Sequence, residues 1–82
     1  MLASRAYLRP MSADTLLTQT RKSRKLSLEH VAKRVGTDQG NLARIEKGQQ
    51  TPKKDLARRL FAFYEGAVPL AAIYDPEFFA RQ

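Results

Sequence analysis

Apolar residues recur along this chain at helical rather than strand spacing, and they divide it into short amphipathic segments. Ser12 is placed to cap a first helix running to about Lys25, with Leu16 and Leu17 facing inward. Ser27 caps a second, in which Val31 and Val35 stand four apart and Gly36 marks the end. Thr37 or Asp38 caps a third, from about Asp38 to Lys47, with Leu42 and Ile45 inside and Gly48 as its stop. After a loop at 49–51, Thr51 as N-cap and Pro52 at the first helical position open a fourth helix to about Tyr64. Its apolar face carries Leu56, Leu60, Phe61 and Tyr64, of which Phe61 and Tyr64 are expected to complete the core, and Gly66 ends it. Pro69 starts a short fifth helix, LAAIY, and Asp75-Pro76 repeats the cap-and-proline signal. Pro10 breaks any continuity in residues 1–11, which read as an irregular arm. The pattern predicts an all-α fold, a compact bundle of about five short helices.

The stretch Leu26–Gly48, LSLEHVAKRVGTDQGNLARIEKG, has more to it than periodicity. Glu29 lies in the first turn of its helix, where a negative charge suits the dipole, and the small Ala32 lets a neighbouring helix come close. A tight glycine turn then leads to a helix whose free face holds Gln39, Gly40, Asn41, Arg44 and Lys47. Amide side chains pair with adenine edges and arginine with guanine O6 and N7, so this face is suited to the DNA major groove. Gly40 is costly near a helix start but lets a partner approach the backbone closely.

Charge sharpens the division. Residues 1–60 hold 14 of the 15 Lys and Arg against 5 of the 8 acids, a net of +9, whereas residues 61–82 carry a net of −2 and six of the seven aromatics. One region is suited to a polyanion and the other to packing. With 82 residues, no cysteine and one histidine, the chain makes one small domain with no disulfide framework, and neither a metal nor a cofactor is expected. No apolar run spans a membrane, no signal peptide is convincing, and the expected setting is the cytoplasm of a bacterium or its phage. Asp75 and Glu77 lack a nucleophile or cleft to work with, so no enzyme is expected; His30, Lys33 and Arg34 read as surface positions.

At these residues the chain resembles the helix-turn-helix of the λ-repressor/Cro-like superfamily, the XRE family. The matching positions are Arg21, Leu26-Ser27, Glu29, Val31-Ala32, Val35-Gly36, Leu42 and Arg44-Ile45-Glu46-Lys47-Gly48, and the resemblance covers roughly residues 12–65. It implies a double-stranded DNA partner and a transcriptional role. Gln39, Gly40, Asn41 and Arg44 are the implied base contacts, and Ser27, Lys47, Gln50 and Lys53 the implied phosphate contacts. It further implies an ion pair between Arg21 and Glu46 that braces the first helix against the recognition helix. Two positions depart from the family: Leu28 replaces a usual glutamine that clamps a phosphate, and Gly40 replaces a usual Ser or Gln, so the family's side-chain contacts there are not carried over and Gly40 meets a base through its backbone.

The tail, 66–82, is read as a dimerisation element. Phe63, Val68, Leu70, Ile73, Phe78 and Phe79 are more apolar surface than so small a fold needs, which points to a partner. A symmetric homodimer would read an inverted-repeat operator with half-sites about one turn apart, ~34 Å. The expected function is a small repressor of the phage, mobile-element or restriction–modification controller type. The alternative is an antitoxin that holds a toxin with its tail and regulates its own operon.

Overall fold

Helices of five to ten residues do not persist alone in water, so those of this chain depend on one shared core, helped by side-chain caps on three of them. The computed structural model describes residues 14–77. Among the described residues there are five α-helices and no strand: α1 Leu16–Ser23, α2 Leu28–Val35, α3 Gln39–Glu46, α4 Lys54–Phe63 and α5 Leu70–Tyr74. The described residues are all-α, as the periodicity predicts.

Local chemistry explains where each helix begins. Thr15 caps α1, its Oγ1 accepting from the Thr18 N–H at 3.5 Å; the expected cap, Ser12, lies outside the described residues. Ser27 caps α2 by accepting from the His30 N–H at 3.0 Å. Of the two candidates for α3, Asp38 is the cap, its Oδ1 accepting from the Asn41 N–H at 2.7 Å. The start of α4 differs from the sequence reading. Pro52 is buried, the chain stays extended through Lys53 (ψ 162°), and the helix begins only at Lys54 with no side-chain cap. The proline ring anchors the loop in the core instead of opening the helix.

The ends follow one scheme. At α2, Gly36 has φ 79°, and the Thr37 N–H closes on the Ala32 carbonyl at 2.9 Å, a Schellman turn for which glycine is the unstrained residue. Gly48 ends α3 in the same way, and a Cβ there would come within 2.8 Å of Glu77 Cγ. Past α1 the left-handed position falls to Lys25 (φ 58°), and past α4 to Glu65 (φ 53°) and, as expected, Gly66 (φ 82°).

The caps bring one apolar face of each helix together. Leu17, Val31, Val35, Leu42, Ile45, Leu60, Tyr64, Val68 and Ile73 form a single buried cluster. Fully burying each aliphatic side chain contributes roughly 1.5–3 kcal/mol. α2 packs on α3 and α4, while α5 packs on α4 and α1. Two apolar expectations need correction. Phe61 is 38 % exposed, because Leu56, Leu60 and Tyr64 occupy the inward face at spacing four and Phe61 falls a third of a turn beyond it. Val68 and Ile73, read as partner-facing, are fully buried in the protomer's own core, because α5 folds back across α4. Leu70 stays 39 % exposed and Phe63 is half-buried; Phe78 and Phe79 lie outside the described residues.

Candidate nucleic-acid interface

The position of α3 is fixed from behind by a buried polar cluster. Glu46, on its last turn, is only 3 % exposed. The Arg21 guanidinium donates to both of its carboxylate oxygens, Nε to Oε2 at 2.9 Å and Nη2 to Oε1 at 3.2 Å. The Thr18 hydroxyl donates to Oε1 at 3.0 Å, and that of Thr15 to the Glu46 carbonyl at 2.6 Å. Arg21 Nη1 also donates to the Leu26 carbonyl at 3.0 Å, tying the α1–α2 turn into the cluster. A buried charge is tolerated when its partners are complete, and here they come from α1, the residue before it and the turn after it. The Arg21–Glu46 pair stands where the resemblance puts it; the two threonines were invisible to sequence reasoning, because hydroxyls serve as caps and core ligands alike.

Tyr64 closes the floor of this cluster. Its hydroxyl is buried and meets no hydrogen-bond partner among the described residues. Burial pushes its pKa up to about 12, with the Glu46 carboxylate adding to the rise and Arg21 and Arg24 opposing it. The Arg24 guanidinium sits 5.5 Å from the centre of the Tyr64 ring, and that of Arg34 6.0 Å from the Phe63 ring. Phe63 and Tyr64 meet edge to face at 5.0 Å. Arg34 therefore has a packing role beside its exposure, a cation–π contact that a surface reading misses.

The opposite face of α3 looks outward. Gln39, Gly40 and Arg44 are exposed and Asn41 is half-buried. Gly40 has no positive φ, and a Cβ there would make only ordinary contacts, with Asp38 Oδ1 at 3.5 Å and Arg44 Nη1 at 3.6 Å. Nothing within the chain demands glycine at this position, and the guanidinium of Arg44 lies back over it. The Asn41 Nδ2 donates to Thr37 Oγ1 at 2.8 Å, and its Oδ1 accepts from Gln50 Nε2. Gln50 Oε1 in turn accepts from Arg44 Nε at 3.1 Å. Both ends of the Asn41 and Gln50 amides are thus bonded within the chain. Each amide nitrogen keeps a second N–H and each oxygen a second lone pair, so these bonds leave Asn41 able to meet a base and Gln50 a phosphate.

The flanks supply the charge. Ser27, Lys47 and Lys53 are all exposed. Ser27 keeps its hydroxyl hydrogen for donation, since the cap uses only the oxygen as an acceptor. Between α3 and the start of α4 runs a cleft of about 370 Å³, lined among others by Asn41, Gln50, Lys53 and Arg59. Arg59 escaped the sequence reading. Its Nε donates to the Val35 carbonyl at 2.7 Å, satisfying the C-terminal end of α2 and locking the turn before α3. Among the described residues no cluster of His, Cys, Asp or Glu is arranged to hold a metal, and no helix is long and apolar enough to cross a membrane.

Two short capped helices around Gly36, with the second presenting a polar, cationic face, are the geometry of a helix-turn-helix. Comparison with known proteins agrees: the family model described as a helix-turn-helix domain matches residues 15–72. No curated protein and no solved structure matches the chain. The matched segment runs from the cap of α1 into α5 and takes in the whole buried cluster up to Ala72. The chain belongs to the helix-turn-helix domain family, and its module is of the kind that binds DNA in regulators.

Proposed function

We propose that the protein is a transcriptional repressor of the λ-repressor/Cro-like kind that binds an inverted-repeat operator as a homodimer, α3 lying in the major groove. The observation that carries this reading is the two-sidedness of α3: a buried carboxylate held by Arg21 and Thr18 behind, an exposed Gln39–Gly40–Arg44 face in front. Arg44 reads a guanine through its terminal nitrogens, Gln39 an adjacent base, and Gly40 lets the groove wall approach the backbone. Ser27, Lys47 and Lys53 contact phosphates, which position the helix without specifying sequence. The basic part, 12–65, then supplies the DNA-binding domain, and its place of action is the bacterial cytoplasm.

Dimerisation falls to the end of α4 and the tail, 66–82. Leu70 and the half-buried Phe63 are its described contributors, joined by the exposed Phe61 and Tyr74. Two copies related by a two-fold axis read two half-sites, and occupancy alone then occludes a promoter. Selection of bound sequences from a random duplex pool tests the proposal. A palindrome with half-sites about one helical turn apart, ~34 Å, is expected; binding without any preferred sequence overturns it.

A further inference from the structure

Arginine in water samples many rotamers, and an arginine that reads one base must be held in one of them. Arg44 is exposed on α3 and has no acidic partner there among the described residues, yet its side chain is placed. The guanidinium lies over Gly40, one turn earlier, with Nη1 3.6 Å from where a Cβ would stand, a distance at which alanine would fit as well. Gln50, in the loop after α3, accepts from Arg44 Nε at 3.1 Å. The amide of Gln50 is itself oriented, because its Nε2 donates to Asn41 Oδ1 while Asn41 Nδ2 donates to Thr37 Oγ1. The relay runs from the turn before α3, across the helix, to the loop after it.

We infer that Gln50 is a specificity-determining positioning residue: through the Thr37–Asn41–Gln50 relay it holds Arg44 by its Nε, so that only the terminal Nη1 and Nη2 pair is offered to a base. A terminal pair meets the O6 and N7 acceptors of guanine end-on. Asn41 is then a brace for the reader. The inference rests on the DNA-reading function proposed above. Gln50 lies outside the recognition helix and touches no base itself, so sequence preference at one base pair depends on a loop amide. Excluding water on binding strengthens each bond of the relay.

Sequence selection followed by affinity measurements on single-base variants of the recovered site tests this. Arg44→Ala removes discrimination at one base pair by about 10- to 100-fold. Gln50→Ala weakens discrimination at that same pair, by at least about threefold, and the Arg44→Ala/Gln50→Ala double variant is no worse there than Arg44→Ala alone. Gln50→Glu retains an acceptor for Arg44 Nε and so keeps the base preference while binding every sequence less well. The unfolding midpoint of Gln50→Ala stays at that of the wild type, since an exposed polar residue is lost. Uniform weakening of all sequences by Gln50→Ala with a flatter salt dependence makes Gln50 a phosphate contact and overturns the inference; an unchanged base preference overturns it too. The relay is also read without DNA, from proton exchange at Arg44 Nε in the free, full-length protein. Gln50→Ala is expected to speed it, and an equal rate in both proteins overturns the relay. Absence of any preferred sequence for the wild type alongside a Gln50-dependent exchange rate instead counts against the DNA-reading function on which the inference depends.

Discussion

The two faces of α3 use the same kinds of side chain under opposite conditions. Behind the helix, Glu46 is buried and meets several donors: Arg21 twice, Thr18 once, with Thr15 on its carbonyl. In front, Asn41, Gln50 and Arg44 bond to one another in the open. Behind, hydrogen bonding is obligatory, because a buried carboxylate with missing partners costs several kcal/mol. In front, water would satisfy the same groups at almost no loss. The bonds on the buried side are therefore explained by folding; those on the exposed side contribute little to it, and holding a base-reading arginine is the role proposed for them.

The largest expected effect comes from breaking the buried side. Glu46→Ala leaves Arg21 charged and buried, and should cost about 3–5 kcal/mol in urea unfolding, enough to unfold much of a domain this small. Replacing the pair together, Arg21→Met with Glu46→Leu, should recover most of that loss; failure to recover would mean the threonine bonds dominate the cluster.

Next in size is the exposed side. Arg44→Ala should cost ~1–3 kcal/mol on the preferred duplex and relax specificity at one base pair, with stability unchanged, as read by binding titrations on matched and single-mismatch duplexes. Equal loss on all duplexes would make Arg44 a phosphate contact.

Tyr64→Phe probes the floor between the two. The buried hydroxyl has no hydrogen-bond partner among the described residues, so its removal should leave stability unchanged or raise it by up to about 1 kcal/mol. The sign of the pH effect follows from the raised pKa. The folded state holds the phenol proton more tightly than the unfolded chain, so the contribution is complete below pH 10 and is lost as pH rises from 10 toward about 12. Wild type should therefore lose more stability than Tyr64→Phe across that range in pH-dependent denaturation, and parallel curves would show that the hydroxyl is not buried in solution.

The smallest effect is expected from Lys53→Ala. It should weaken all sequences alike and lower the slope of log affinity against log salt by about 0.9, measured by anisotropy over a salt series. An unaltered slope removes Lys53 from the footprint.

How much of this was legible in the sequence follows the same division. Core positions were readable wherever spacing alone decides burial, as for Val31, Val35, Leu42 and Ile45. Periodicity was less secure at α4, where a shift of one residue turned Phe61 out and left Tyr64 in. Ile73 was misread because α5 is too short for its inward face to be distinguished from a sticky surface, and Val68, in the turn before it, because only the docking of α5 on α4 and α1 decides the matter. Pro52 carried a helix-start signal, but its burial in the core took precedence. Of the candidate site, the face of α3 and the Arg21–Glu46 pair could be named in advance. The relay through Gln50 and the Arg59 bond to Val35 could not, because each joins residues that no spacing rule connects.

The central claim is that DNA meets the front of α3. Its most direct test is chemical-shift mapping of the ¹⁵N-labelled protein during titration with duplex DNA. The account predicts that the largest changes fall on Gln39, Gly40 and Arg44, with smaller ones at Ser27, Lys47 and Lys53. Changes centred on Phe61, Leu70 and Tyr74, with the front of α3 unmoved, would contradict it.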